Sequence, residues 1–350
     1  MPILSANQLR TLSASIFIGL GTPKTDANLV ADLLVEANLT GYDSHGVIRI
    51  PIYAKGIKMG AVKPGAEIKI VSETPSTAAI DGGWNLGQVV AKYAMNVCIE
   101  KARKGVVGLV TARNSHHIGR LNAYAEMAMA QDMIGIVSVN SSTAVAPFGG
   151  KSKQLGTNPL CFAIPSGEEP PMILDMATSV WAQGKIMVHQ ARGEKLPEGV
   201  LMDSEGNPTT DPSWYNRGGF LRTLGGDIAG YKGFGLSLLV EILTGALTEG
   251  GVSNSEEYRS RLFYGGNGIF MMAIDVGQVT NLDSFKKRVD GLLRTAKNSP
   301  KAPGYDEIFI PGEPERHMKE KLLREGIFVE DKTWSDIASL AKELKIKLPI

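Results

Sequence analysis

The sequence predicts an α/β protein in which helices cover a largely buried sheet. Between about residues 70 and 310, apolar runs of strand length alternate with helical patterns, which is typical of α/β layers. Both ends of the chain instead show helical periodicity. With 350 residues, 43% hydrophobic and 21% charged, the chain is long enough for two structural units.

The N-terminal segment predicts three helices. Ser5 can cap the first, and Asp26 can cap a second whose apolar residues recur at helical spacing through Gly41. Pro51 fits the first turn of a third helix, because its missing N–H group costs nothing there, and Gly60 can end that helix. We expect the polar segment that precedes Pro51 to form the turn that leads into the third helix.

Strand patterns begin after Pro64-Gly65, and we place a domain change near residue 70. The expected strands are 67–72, 77–80, 106–110, 134–139, 160–164, 172–179 and 268–276, and the expected helices are 87–104, a segment ending at 129, 236–247 and 283–297. Residues 193–230 predict a long excursion with little regular structure, which in compact domains is often functional. The helix from Leu236 to Leu247 is apolar all round, which predicts an interior position or an oligomer interface.

Composition narrows the class of partner. The net charge is +1, without a basic block, which argues against nucleic acid and membrane surfaces and favours a small molecule. Cys98 and Cys161 are too few for a disulfide framework and lack zinc-site spacing, so we expect reduced core thiols and no metal. No secretion signal or membrane-length apolar run is present, so we expect a cytoplasmic protein.

The segment Asp43-Ser44-His45-Gly46-Val47-Ile48-Arg49 is the first candidate site. Histidine can give or take a proton near neutral pH, and the planar guanidinium of arginine matches a carboxylate with two hydrogen bonds. Together they suit chemistry on the carbon next to a carboxylate. The structural alternative is a helix end that is capped by Asp43 or Ser44, with Arg49 in solvent.

Several common site motifs are missing. The chain has no G-x-G-x-x-G dinucleotide motif after a strand, no complete P-loop and no nucleophile elbow. Polar residues instead stand beside glycines at predicted strand ends. His117 is catalytic or, alternatively, a helix N-terminal residue that bonds a carbonyl. Lys232 lies between two glycines at a predicted helix start, where an anion would bind, or alternatively it is a solvated surface lysine.

Six motifs in order resemble the type 2 malate/L-lactate dehydrogenase family over essentially the whole chain. They are Asp43 to Arg49, Asn114 to Gly119, Leu155 to Leu160, Asp175 to Ser179, Gly230 to Gly233 and Ile310 to Glu313. The resemblance implies a non-Rossmann nicotinamide-binding domain with a mixed sheet at residues 71–309. It also implies a helical substrate-side domain from residues 1–70 and 310–350, and a homodimer with the active site between the units.

The same resemblance implies roles for individual residues. His45 would donate the proton, with Ser44 in its relay and Arg49 on the substrate carboxylate, although some relatives are assigned the position of His117 as acid/base. Substrate-side contacts would be Thr157, Gln183 and Gly184. Cofactor contacts would be His117, Ile118, Gly119, Arg120, Leu121, Asp175, Met176, Ala177, Lys232, Gly233, Pro311, Gly312 and Glu313. Many relatives carry Arg or His where this chain has Gln183, so the substrate identity depends on that position.

The expected activity is an NAD- or NADP-dependent hydride transfer between the cofactor and a 2-hydroxy or 2-oxo acid. A reductase of cyclic imino acids, with a C=N acceptor, is the related alternative. A non-catalytic small-molecule binding protein on the same scaffold is the alternative from a different class. The acidic residue that usually reads the ribose belongs to the missing Rossmann motif, so the sequence leaves NAD and NADP both open.

Overall fold

A seven-stranded mixed sheet forms the centre of the protein. The computed structural model describes residues 2–256, 258 and 266–349. The strands of this sheet are β2 (Lys69–Glu73), β3 (Thr77–Asp81), β4 (Val107–Ser115), β5 (Met133–Val139), β6 (Leu160–Ile164), β7 (Met172–Met176) and β11 (Asn267–Asp275). Their order is β2-β3-β4-β11-β5-β6-β7, with β3 and β4 parallel and the other neighbours antiparallel. The prediction of an α/β fold with a mixed sheet is confirmed.

Helices surround the sheet and form both chain ends. They are α1 (Ala6–Gly19), α2 (Lys24–Leu39), α3 (Ile50–Lys58), α4 (Gly87–Gly105), α5 (Asn122–Met129), α6 (Gln183–Arg192), α7 (Gly226–Glu241), α8 (Val276–Val279), α9 (Leu282–Lys297), α10 (Glu313–Glu325) and α11 (Asp331–Glu343). Helix α7 continues into a π-helical turn at Ile242–Ala246. The bounds of α4 and α9 agree closely with the predicted helices 87–104 and 283–297.

Helices α4 and α5 pack directly on the sheet, because glycines in two strands remove the side chains that would keep them apart. A Cβ atom on Gly108 of β4 would lie 2.0 Å from the carbonyl oxygen of Cys98 in α4. A Cβ atom on Gly135 of β5 would lie 2.2 Å from the carbonyl oxygen of Ala125 in α5. The resulting core includes both cysteines, and Cys98 and Cys161 are free and buried, as predicted.

A second core joins the two ends of the chain. It includes Phe17 of α1, Leu34 of α2, Ile50 of α3 and Ile337 of α11. The short strand β1 (Ile3–Leu4) also pairs with β12 (Ile327–Phe328), which lies between α10 and α11. The C-terminal helices therefore pack against the N-terminal ones, as expected. The domain boundaries at residues 70 and 310 stay a prediction.

Three local predictions were wrong. Helix α2 begins at Lys24 after Pro23, so Asp26 lies in its first turn and is not the cap. The excursion over residues 193–230 contains a small antiparallel sheet with its own core, formed by β8 (Leu201–Met202), β9 (Pro208–Thr209) and β10 (Phe220–Leu221). The apolar helix, predicted from Leu236, begins at Gly226, although a kink at Ala229 separates its first residues from the rest.

The helices in the described ranges are all too short or too polar to cross a membrane. The cytoplasmic location stays a prediction.

Candidate active site

The segment from Asp43 to Arg49 forms two short 3-10 turns between α2 and α3, and Asn38 holds both turns. The Asn38 amide donates to Asp43 Oδ1 at 2.6 Å, and its oxygen accepts from the Val47 N–H at 2.8 Å. A Cβ atom at Gly46 would lie 2.2 Å from Asn38 Oδ1, so this position requires glycine. The turns therefore present their side chains from a fixed backbone.

Ser44, His45 and Arg49 face one another within these turns. The Arg49 Nε–H donates to the Ser44 carbonyl oxygen at 2.6 Å, and Ser44 Oγ lies 3.0 Å from His45 Nδ1. Asp43 and Ser44 do not cap α3, whose N-cap position is Arg49, and Arg49 is half-buried. The interpretation as a capped helix end with a solvated arginine is therefore wrong. Helix α6 closes this side, since a Cβ atom at Gly184 would lie 2.4 Å from Ser44 Cβ.

His117 joins His45 from the far end of β4. The two imidazole rings stack with their centroids 5.4 Å apart and an interplanar angle of 25°. His117 Nδ1 lies 2.6 Å from the hydroxyl oxygen of Tyr53 in α3, and that oxygen accepts from Gln88 Nε2 of α4 at 3.1 Å. His117 is thus bonded to a phenol, and the interpretation as a helix-start residue on a carbonyl is wrong.

Tyr53 and Gln88 are functional candidates that sequence reasoning missed. Tyr53 lies four residues after Arg49, so helical spacing could have indicated that both face the same side. Gln88 comes to this place only through tertiary packing, and no local pattern marks it.

The surroundings of His45 and His117 lower the pKa values of both side chains. Burial lowers the pKa of His45 to about 3, and the charges of Arg49 and Arg120 act in the same direction. Burial also lowers the pKa of His117 well below its ordinary value, and Arg49, His45 and His116 act in the same direction. No carboxylate of the described residues lies within ion-pair distance of Arg49. The pocket is positive, its histidines are neutral, and an anion would complete it.

A cleft of about 360 Å³, near the lower end of the usual size of ligand sites, lies at the start of α5. Arg120, Asp175, Pro311 and Gly312 line it, and Arg120 also lines a smaller cavity that reaches His45. The Asp175 carboxylate accepts from the backbone N–H groups of Leu121 and Asn122 at 3.1 and 3.0 Å. It thereby fixes the start of α5, next to Ile118, Gly119 and Arg120.

Two arginines place buried donors at this cleft without a partner. Arg120 donates to Thr40 Oγ1 and stacks on the Tyr42 ring at 4.1 Å, but its Nε atom is buried and makes no hydrogen bond within the described ranges. The same is true of Arg316 Nη2, while Arg316 Nη1 donates to the Pro171 carbonyl oxygen at 3.1 Å. Guanidinium donors are matched to phosphate oxygens. Arg120 and Arg316 are therefore candidate ligands for a phosphate group at this cleft.

Glu313 supports the cleft and does not line it. Its carboxylate accepts from the Ile310 N–H at 2.8 Å and from Lys297 Nζ at 2.6 Å, which fixes the Pro311-Gly312 turn. At Gly312, φ is +99°, a conformation that favours glycine.

The remaining predicted contacts lie beyond the end of β7. Met176 ends this strand and Ala177 follows it. The Thr157 carbonyl oxygen accepts from the N–H and hydroxyl of Thr178, and the Leu224 N–H donates to the Thr178 carbonyl oxygen. Gly233 packs on the Leu224 backbone, which brings the exposed Lys232 near this strand end. Within the part of the chain that is described, no hydrogen bond joins Thr157, Gln183 or Lys232 to either histidine.

The described residues contain no cluster of three or more His, Cys, Asp or Glu side chains that could hold a metal ion.

Comparison with known proteins agrees with this geometry. The sequence model of the family described as malate/L-lactate dehydrogenase matches residues 4–338. A malate dehydrogenase of Pyrococcus abyssi is 40% identical over 97% of this chain and 94% of its own length. An L-sulfolactate dehydrogenase of Methanocaldococcus jannaschii is also 40% identical, over 99% of this chain and 98% of its own.

Two solved structures share the fold over nearly the whole chain. A malate dehydrogenase of Entamoeba histolytica has a TM-score of 0.95 at 31% identity and covers 100% of this chain and 99% of its own. A delta1-piperideine-2-carboxylate reductase of Pseudomonas syringae has a TM-score of 0.84 at 27% identity and covers 97% of this chain and 100% of its own. Fold and relatives together define the class as a hydroxy acid dehydrogenase that acts on CH–OH groups. The chain belongs to the malate/L-lactate dehydrogenase family.

Proposed function

We propose that the protein transfers a hydride between a nicotinamide cofactor and the C2 atom of a 2-hydroxy or 2-oxo acid. The observation that carries this proposal is the positive pocket of His45, His117 and Arg49, which lacks a carboxylate partner among the described residues. A substrate carboxylate supplies the missing charge. It also places the neighbouring carbon beside a group that can carry a proton.

Arg49 and His45 divide the substrate between them. The Arg49 Nε–H donates to the Ser44 carbonyl oxygen, so the two Nη atoms remain for the carboxylate of the substrate. His45 takes the proton of the substrate hydroxyl during oxidation and returns it to the carbonyl oxygen during reduction, with Ser44 as its hydrogen-bonded relay. The wall of the pocket on the side of the substrate is formed by Thr157, Gln183 and Gly184.

The cleft holds the cofactor, which is NAD or NADP. When bound, the cofactor supplies or accepts the hydride. The residues proposed to hold it are the segment His117 to Leu121, the segment Asp175 to Ala177, Lys232 with Gly233, and Pro311 with Gly312, whose turn Glu313 fixes. The unpaired guanidinium nitrogens of Arg120 and Arg316 support a place for its phosphates at the cleft.

Reduction of cyclic imino acids is the second candidate. The likeness to the piperideine carboxylate reductase favours it, because the same carboxylate clamp and proton donor would serve a C=N acceptor. The hydroxy acid assignment takes precedence, since the 40% identical relatives are malate and sulfolactate dehydrogenases.

A substrate panel tests these assignments. The protein is mixed with NADH or NADPH and with pyruvate, oxaloacetate, sulfopyruvate or a cyclic imino acid, while the absorbance of the reduced nicotinamide is followed. We expect oxidation of the cofactor with at least one oxo acid. Turnover of the imino acid alone would favour the second candidate. Cofactor binding without turnover of any substrate would indicate a non-catalytic binding protein.

We further propose that the protein is a homodimer. Helix α7 and its π-helical turn present a run of exposed apolar side chains, which are Ile228, Tyr231, Leu238, Leu239, Ile242 and Leu247. Ile228 is 93% exposed and Ile242 57%, and contiguous patches of this kind mark interaction sites. Light scattering should report a dimer for the parent and a monomer for Ile242→Glu. Leu292→Glu, at a 68% exposed site on α9, is the matched control.

A further inference from the structure

The hydrogen bonds around Tyr53 determine where His117 carries its proton. A phenol has one hydrogen and can donate once. Gln88 Nε2 already donates to the Tyr53 oxygen at 3.1 Å, so the phenolic hydrogen is left for His117 Nδ1 at 2.6 Å. An Nδ1 atom that accepts a hydrogen bond carries no proton of its own. The neutral ring must therefore carry its proton on Nε2.

We infer that Tyr53 is a positioning residue that holds His117 as the neutral Nε2–H tautomer, a donor towards a bound ligand. Under the proposed function, on which this assignment of roles rests, His117 then donates a hydrogen bond and His45 alone carries the proton. The two stacked histidines thus have different tasks because their Nδ1 atoms have different partners, a phenol for His117 and the Ser44 hydroxyl for His45.

The surroundings of His117 keep it neutral. Burial raises the pKa of Tyr53 to about 12, so the phenol stays protonated and remains a donor. The charged or titratable groups that face His117 are Arg49, His45 and His116, and all three oppose a positive charge on its ring. Protonation of Nδ1 would also set two hydrogens against each other across a 2.6 Å contact.

Gln88 gives the chain of hydrogen bonds its direction. The Gln88 side chain is buried, and its Oε1 atom has no hydrogen-bond partner among the described residues. The reverse orientation of the amide would let the Tyr53 hydroxyl donate to Gln88, and His117 Nδ1–H would then donate to Tyr53. The two orientations therefore predict opposite tautomers of His117, and the described one, in which Gln88 Nε2 donates to the Tyr53 oxygen, predicts the Nε2–H form.

Nitrogen NMR on the full-length protein tests the inference. The chain is labelled with ¹⁵N-histidine, and long-range ¹H–¹⁵N spectra report which ring nitrogen of each histidine is protonated. The His117 signals are identified by their absence from the spectrum of His117→Gln. We expect a protonated Nε2 and a bare Nδ1 from pH 6 to 8. A protonated Nδ1 in the parent would overturn the inference.

Tyr53→Phe removes the donor and keeps the ring. We expect its His117 signals to show a mixture of tautomers and a higher pKa than in the parent. Tyr124→Phe is the matched control, because that buried phenol donates to the Ile118 carbonyl oxygen beside His117 without touching the imidazole. An unchanged tautomer in a folded Tyr53→Phe variant would also contradict the assignment. If that variant does not fold, the spectrum of the parent still decides.

The NMR measurement needs no substrate, so it is independent of the proposed function. If the substrate panel gives no hydride transfer and His117 still shows the Nε2–H tautomer, the proposed function fails and the role of Tyr53 stands. If turnover occurs and His117 carries its proton on Nδ1, the proposed function stands and the role of Tyr53 fails.

Discussion

Arg49→Lys should impair substrate use far more than cofactor binding. The substitution keeps a positive charge but removes the planar fork of donors. It removes the Nε–H bond to the Ser44 carbonyl oxygen, which is 2.6 Å long. It also leaves a single ammonium group in place of the two Nη atoms that we propose to bind the substrate carboxylate. Lysine therefore loses one bond that holds the Ser44-His45 turn and one bond to the carboxylate.

Each lost bond can be given a magnitude. A hydrogen bond that involves a charged group contributes about 1.5–3 kcal/mol, and the lysine ammonium recovers part of that energy in each case. We expect a total loss of about 2–4 kcal/mol of transition-state stabilisation. This corresponds to a kcat/KM for the oxo acid that is roughly 30- to 1000-fold lower.

The assay measures kcat/KM for the oxo acid at saturating cofactor, together with the Kd of the cofactor by fluorescence titration. Arg103→Lys is the matched control, because Arg103 forms an exposed ion pair with Glu100 and should change kcat/KM by less than about twofold. An unchanged kcat/KM in Arg49→Lys would refute the carboxylate clamp. An equal loss of substrate and cofactor binding would show that the turn had collapsed instead.

Three further substitutions test other parts of the site. Gly184→Ala should lower kcat/KM at least about tenfold, because its Cβ would lie 2.4 Å from Ser44 Cβ. Gly291→Ala on α9, where an added Cβ has nothing within 4 Å, should leave kcat/KM unchanged, and equal rates for the two variants would refute the packing argument. Lys232→Ala should raise the cofactor Kd at an unchanged melting temperature, and a parental Kd would assign this lysine to the surface. The pKa of His45 is about 3 in the folded protein and about 6.5 in the unfolded chain. Below pH 6.5 the unfolded chain binds a proton that the folded protein does not bind, so the free energy of unfolding decreases, by about 2 kcal/mol at pH 5. Urea unfolding should show that the free energy of unfolding decreases less between pH 6.5 and 5 in His45→Gln than in the parent. The same pH dependence in both proteins would contradict the burial of a neutral imidazole.

Local signals in the sequence predicted the elements that depend on neighbouring residues. Ser5 caps α1 and forms a capping box with Gln8, so both partners lie within one turn of each other. Pro51 likewise lies in the first turn of α3. The cap of α2 was misplaced because Asp26 suits both an N-cap and the first turn, and Pro23 decided between them. The two-residue strands β8, β9 and β10 are too short to show a period.

The candidate site divides in the same way. His45 and Arg49 lie close together in the sequence, and the Ser44 carbonyl oxygen joins Arg49 to the same turn. Residue types and spacing were therefore sufficient to predict that the two side chains lie near each other. The stacking of His45 on His117 and the bond from Gln88 to Tyr53 join elements that are far apart in the chain. Such contacts depend on packing, which a single sequence does not display.

The most direct test of the central claim follows the hydride itself. Reduced cofactor that carries deuterium at both hydrogen positions of nicotinamide C4 is incubated with the oxo acid that the substrate panel selects, and the product is examined by mass spectrometry and NMR. The proposed site, with the carboxylate on Arg49 and the proton on His45, predicts a 2-hydroxy acid that carries deuterium at C2 and none at its other carbons. A product without deuterium at C2, or cofactor oxidation that yields no hydroxy acid, would contradict it.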